Sequence, residues 1–196
     1  MAKNSGNIRS KARRQRITEQ GYSARLASRV LAKEREIRTN RDESLFFYDA
    51  AGNVVSSLQG KGASVATPKG YVAPRNAIIT HNHPRALGQT GVRAIGHSFS
   101  YEDLRTAINT DAQEIRAVTP TYTFSVKRPP EGWGTNATNL WLAFGEAERQ
   151  VRNRLNSYVW RRNTNDAVAR AETLHAHLVV KLLAERFGWK YTKVNS

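Results

Sequence analysis

Residues 77–104 read AIITHNHPRALGQTGVRAIGHSFSYEDL, and the fold turns on how that stretch is parsed. An apolar run ends in His81-Asn82-His83-Pro84, and after a loop a polar stretch holds Ser100 and Asp103. The chain has only five histidines in 196 residues, so a pair one residue apart at the end of a buried strand asks for a chemical reason. In an extended strand alternate side chains share a face, which points Ala77, Ile79, His81 and His83 the same way. The imidazoles then start about 6 to 7 Å apart, a spacing that suits two ligands converging on one ion. Pro84 ends the hydrogen-bonding ladder and fixes the exit of the chain.

Ser100-x-x-Asp103 has the form of a helix start. Ser100 is an N-cap, and an acid at the third helical position completes a capping box and complements the helix dipole. The same aspartate is a candidate third ligand, since capping does not engage its whole carboxylate. Two imidazoles, one carboxylate and a water make the open tetrahedral set of a catalytic zinc site. Such a site needs a base to take a proton from water. Glu43 is the best placed acid: it opens a strand predicted beside AIIT, with Leu45 and Phe47 on its own face. Asp49 is the alternative, although DAAGN has the composition of a hairpin turn.

Working outward, residues 1–42 are a basic arm leading into a helix. Tyr22, Leu26, Val30 and Ile37 recur at helical spacing, with Arg25, Arg29, Lys33 and Arg38 around them. ESLFFYD and VVSSL form a hairpin turned at Gly52-Asn53. A helix from Ser100 buries Leu104, Ala107 and Ile108. EIRAV and YTFSV are two further strands, with Tyr122, Phe124 and Val126 on one face. KRPPEGWGTN is a linker. Two long helices follow, with predicted stripes of Trp141, Phe144, Val151, Leu155 and Tyr158, and of Leu174, Leu178, Leu182 and Phe187, before Gly188 ends the second. The expected class is α/β (α+β): a mixed central sheet in residues 43–130, flanked by the basic helix of 1–42 and a helical hairpin in 131–196.

Composition narrows the function. Net charge is +15, and residues 1–42 supply about half of it, with twelve Lys and Arg against four acids. Lys3, Arg9, Lys11, Arg13, Arg14 and Arg16 are expected to meet nucleic acid through charge alone. No cysteine is present, so thiolate metal sites and disulfides are excluded. No apolar run approaches the ~18 residues of a membrane span, and the basic N-terminus lacks the apolar segment of a secretory signal. The expectation is a soluble intracellular protein, or one packaged with nucleic acid.

Glu43, a strand, His81-x-His83-Pro84 and Ser100-x-x-Asp103 together resemble the JAB/JAMM metalloprotease fold. AIITHNHP is similar in particular to RadC-type members, whose motif runs His-Asn-His-Pro-Ser-Gly before Ser-x-x-Asp. The resemblance covers roughly residues 43–129. It implies a JAB/JAMM-like core, zinc held by His81, His83 and Asp103, Glu43 as general acid/base, and Ser100 as a donor to the oxyanion formed when water attacks a carbonyl. Sixteen residues separate His83 from Ser100, and RALGQTGVRAIGH stands where that family has Ser-Gly. A second resemblance runs from SFSYEDLRTAINTDAQEIRAVTPTYTFSVKRPPEGW to the final LAERFGWKYTKV. It is to the C-terminal region of some phage Mu F-like head-morphogenesis proteins, and implies a phage or prophage setting, in the virion or host cytoplasm, with virion proteins or packaged DNA as partners.

Three functions compete on these grounds. One is a zinc-dependent hydrolase of peptide or isopeptide bonds. Another is a virion structural or DNA-associated protein that keeps the fold without turnover. The third is a phage nuclease-type effector using the histidines as acid and base. His175-Ala176-His177 repeats the His-x-His spacing on a helix, where i and i+2 diverge too far to share one ion. Trp133, Trp141, Trp160 and Trp189 are expected in helix packing, with an aromatic platform for single-stranded nucleic acid as the alternative.

Overall fold

The computed structural model describes residues 23–66 and 68–195. A hairpin of β1 (Ser44–Tyr48) and β2 (Val54–Gln59) leads to β3 (Ile78–Asn82), and β4 (Glu114–Val118) and β5 (Tyr122–Lys127) follow after a helix. With β6 (Lys190–Asn195) they form one six-stranded sheet in the order β2-β1-β3-β4-β5-β6. Only the β3–β4 pair is parallel; the rest are antiparallel, which makes the sheet mixed. Four helices pack around it: α1 (Ala24–Ile37), α2 (Tyr101–Asn109) in the β3–β4 crossover, and the hairpin of α3 (Ala137–Arg162) and α4 (Asn165–Phe187). The class is α+β, as the hydrophobic pattern indicates.

Both faces of β3 and β4 are covered, so every residue of these two strands is buried. On one face, Leu26 and Val30 of α1 pack on Tyr48 and Ile78. On the other, Phe47, Ile79, Ile115, Phe124 and Val126 form a single core with Leu104 and Ala107 of α2, Leu140 and Val151 of α3, and Val180 and Leu183 of α4. Local signals start and stop the helices where the sequence places them. Ser23, Ser100, Asn136 and Thr164 each accept an amide at an N-cap, and Gly188 adopts a left-handed conformation after α4. Asp49 is a turn residue, accepting both the amide and the side-chain NH2 of Asn53 at 2.8 and 3.0 Å.

The hairpin departs from the predicted stripes. Trp141 is 64% exposed, and α3 buries Leu140, Ala143 and Ala147 beside Val151, which is buried as predicted. The buried stripe of α4 runs through Val179, Val180, Leu183 and Ala184, leaving Leu174, Leu178 and Leu182 half-buried. Phe144, Leu155, Leu178, Leu182 and Phe187 flank these rows, part-buried against the same core. The segment after the hairpin does more than end it. Its strand β6 pairs with β5, and Trp189 packs edge-on against Trp133 with centroids 5.2 Å apart. The β-prone residues Tyr191, Thr192 and Val194 after Gly188 are the local signal for this strand. The described residues of 131–195 thus share the sheet and core of those of 43–130. Tyr22 and the six arm residues Lys3, Arg9, Lys11, Arg13, Arg14 and Arg16 lie outside the described residues.

Candidate metal centre

Four side chains from three places in the sequence meet at one end of the sheet. Glu43, His81, His83 and Asp103 each offer one ligand atom, and these atoms lie within 4.8 Å of one another. His81 and His83 face the same way, as the period of a strand requires, and their Nε2 atoms are 2.8 Å apart. Asp103 Oδ1 is 3.3 Å from His81 Nε2, and Oδ2 is 3.7 Å from His83 Nε2.

Glu43 arrives through strand register. β1 and β3 run antiparallel with Leu45 opposite His81, so the residue before Ser44 falls beside His83. Beyond that ladder the side chain of Asn82 takes over. Its Oδ1 accepts the Ser44 amide at 2.8 Å, and its Nδ2 donates to the carbonyls of Asn40 and Asp42 at 3.3 and 3.1 Å. Asn82 is wholly buried and staples the entry to β1 across the end of β3. From the other side Gly60 donates its amide to the Glu43 carbonyl at 2.8 Å. A Cβ on Gly60 would lie 2.1 Å from the Ser64 carbonyl oxygen, so only glycine fits there. Sequence reasoning missed Asn82, which reads locally as the spacer of the His-x-His pair.

His83 is oriented by the long segment that precedes Ser100. Residues 84–99 carry two 3₁₀ turns, Pro84–Ala86 and Gly91–Ile95, and fold back onto the sheet. Thr119 Oγ1 donates to the Ile95 carbonyl at 3.0 Å, and Thr121 bonds the carbonyl of Ala94. Gly96 has φ +71°, and a Cβ there would sit 2.8 Å from Thr119 Cγ2 and 2.9 Å from Ala86 Cβ. Glycine therefore permits the close turn that delivers the next carbonyl, that of His97, to His83 Nδ1 at 3.0 Å. That bond fixes the proton on Nδ1 of neutral His83 and turns the Nε2 lone pair to the cluster, as in many metal-ligating histidines. The contribution of His97 is its backbone carbonyl, with its ring lining the cavity.

Asp103 is held by its own helix start. Ser100 Oγ accepts the Asp103 amide at 3.1 Å, and Oδ2 in turn accepts the Ser100 amide at 2.7 Å and its hydroxyl at 2.9 Å. The capping box is therefore real, and it leaves Oδ1 to His81. The hydroxyl hydrogen of Ser100 is committed to Asp103, so the oxyanion role expected of it requires that hydrogen to turn away. Burial pushes the Asp103 carboxyl up, but the charges and hydrogen bonds of His81 and His83 outweigh it and hold the acid well below the carboxylate range. Burial pushes His83 down, and its bonds to Asp103 and the His97 carbonyl, with the charges of Asp103 and Glu43, bring it above the ordinary imidazole value.

The donor set fits a metal ion. Ligand bonds of about 2.0–2.2 Å in a tetrahedral shell put neighbouring donor atoms roughly 3.3 Å apart. The three His–His and His–Asp separations straddle that length. His81 Nδ1 is buried without a protein hydrogen-bond partner among the described residues, so its ring is aimed by packing, with Phe99 alongside. The cluster opens into a cavity of about 1250 Å³ whose walls include Leu45, Phe47, Tyr71, Trp141 and Phe144. His175 also lines it, while His177 bonds Tyr191 Oη at 2.7 Å, so the helical histidine pair does diverge. Among the described residues no helix is long and apolar enough to cross a membrane. A scan of protein-family models, a search of curated proteins and a search of solved structures each return no match to this chain.

Proposed function

We propose that this chain is a zinc-dependent hydrolase of peptide or isopeptide bonds with a JAB/JAMM-type site, acting in a phage or prophage setting on virion or assembly proteins. The observation that carries the reading is the convergence of two imidazole nitrogens and a carboxylate, with a second carboxylate beside them and a large cavity in front. His81, His83 and Asp103 would hold the ion. Zinc bound there would supply Lewis-acid polarisation of a carbonyl and lower the pKa of water at the site.

The chain's own residues do the rest. Glu43 takes a proton from the attacking water and hands it to the leaving nitrogen as the C–N bond breaks, giving a carboxylate and an amine. Ser100 positions Asp103, and the His97 carbonyl keeps the His83 lone pair turned inward. The mixed apolar and polar walls of the cavity suit a polypeptide. The phage setting rests on the resemblance of SFSYEDL through EGW, and of LAERFGWKYTKV, to head-morphogenesis proteins.

The test is metal analysis of the purified protein together with cleavage of phage particle proteins. Wild type should carry one zinc and produce a zinc-dependent fragment. Glu43→Gln should keep the zinc and lose the fragment, and His81→Ala should lose both. Full cleavage by Glu43→Gln would overturn the assignment of the base. Co-purification with particles at fixed copy number, with no fragment from any protein, would favour the structural role instead.

A further inference from the structure

The α3–α4 hairpin ends in a surface that the metal centre does not use. Residues 149–163 hold five arginines and no acidic residue. Arg152, Arg154, Arg161 and Arg162 are exposed, and none forms an ion pair among the described residues. Among them stands Trp160, 86% exposed. Trp133 and Trp189 are core residues, and Trp141 borders the metal-site cavity, so Trp160 alone of the four serves neither.

Helical geometry arranges the patch. Arg152, Asn156 and Trp160 follow one another at four-residue steps, and Asn153, Ser157 and Arg161 form the adjacent row. Asn156, Ser157, Trp160 and Arg161 line a shallow depression. Arg161 Nε donates to the Ser157 carbonyl at 3.1 Å, which lays the guanidinium along the helix beside the indole. Arg162 stands over the Tyr158 ring with its Cζ 5.8 Å from the centroid. Unpaired guanidinium groups at one end of a helix raise the local positive potential, and a polyanion relieves it.

We propose that this end of the hairpin is a binding site for single-stranded nucleic acid. A base stacks on Trp160, Asn156 meets base edges, and Arg152 and Arg161, which flank the indole on its two sides, take the phosphates. A free indole face among phosphate-binding cations is the combination by which single strands are held without a sequence code. Duplex keeps its bases stacked inside, so it offers the arginines their phosphates but offers Trp160 nothing. The site stands independently of the hydrolase reading, because it shares no residue with the metal cluster.

The experiment is fluorescence anisotropy of a labelled oligo-dT, with a duplex of equal length in parallel, between about 50 and 200 mM salt. It uses the full chain as wild type, Trp160→Ala and Arg152→Ala/Arg161→Ala, with circular dichroism to verify folding. Trp160→Ala should weaken oligo-dT binding about tenfold, with an unchanged salt slope and little effect on duplex. The double arginine variant should lower the salt slope for oligo-dT by about 1.4, two phosphate contacts' worth. A second measurement separates the hairpin from the basic arm: cross-linking to a bromodeoxyuridine oligonucleotide should label the peptide that contains Trp160. Wild-type affinity in Trp160→Ala, or cross-links confined to residues 1–20, would overturn the proposal. Equal losses on oligo-dT and duplex in Trp160→Ala would overturn it too.

Discussion

The two faces of β3 and β4 each bury a cluster of charged and polar groups, and the clusters are built on opposite plans. Beneath α1, Arg116 gives Nε to Glu34 Oε1 at 2.5 Å and Nη1 to Glu114 Oε1 at 2.6 Å, with a further contact from Nη2 to Glu34 Oε2 at 3.3 Å. Thr80 adds its hydroxyl to Glu34 at 3.4 Å. Here the cation comes from the chain itself, and although burial opposes the Arg116 charge, the two carboxylates hold its pKa above even the ordinary guanidinium value. On the other face His81 and His83 meet Asp103 and Glu43, and among the described residues no Lys or Arg forms an ion pair with either carboxylate. One cluster closes on itself; the other gathers lone pairs and carboxylates around a space that suits a cation from outside. Buried ionic groups that complete one another fasten elements together, whereas donors that converge without a counter-ion are arranged for a ligand.

The largest expected effect breaks the closed cluster. Arg116→Met leaves Glu34 and Glu114 buried without their cation and should cost about 3–5 kcal/mol in urea unfolding. A loss below about 1 kcal/mol would mean that α1 is held by its apolar contacts alone. The open cluster responds to an ion instead. Zinc at about one hundred times its dissociation constant should stabilise the wild type by roughly 2.7 kcal/mol and leave His81→Ala unchanged, read as a shift in thermal unfolding. Because the pKa of His83 is raised, protons compete for its Nε2 from above the ordinary imidazole value of about 6.5, so the shift should shrink as pH falls and grow as it rises. An equal shift in His81→Ala would place the ion elsewhere. The smallest effect separates cap from ligand support. Ser100→Ala should cost only about 1 kcal/mol of stability without metal. It should also weaken zinc binding, since Oδ2 of Asp103 loses its hydroxyl donor.

What could be read from the sequence lies within a few residues of itself. The facing of His81 and His83 follows from strand period, the Ser100–Asp103 box from helix capping, and the Gly52–Asn53 turn from local backbone chemistry. The absence of cysteine fixed the ligand chemistry as imidazole and carboxylate before any fold was known. Glu43 was named from its place at the start of a strand, but its arrival beside His83 depends on the β1–β3 register and on the staple from Asn82. Tertiary structure alone decided the rest. Residues 84–99 read as an irregular insertion, yet their fold-back brings the His97 carbonyl to His83, over a return path that no short window of sequence encodes. The fully buried rows of α3 and α4 were set by which side chains meet the sheet core, so Leu140, Ala143 and Ala147 join Val151 inside while Trp141 stays exposed. Glu34, Glu114 and Arg116 look like ordinary surface charges along the chain, and only the packing of α1 onto β4 makes them a buried network. Periodicity and capping are properties of neighbouring residues, whereas pairing, register and closure depend on where distant segments meet.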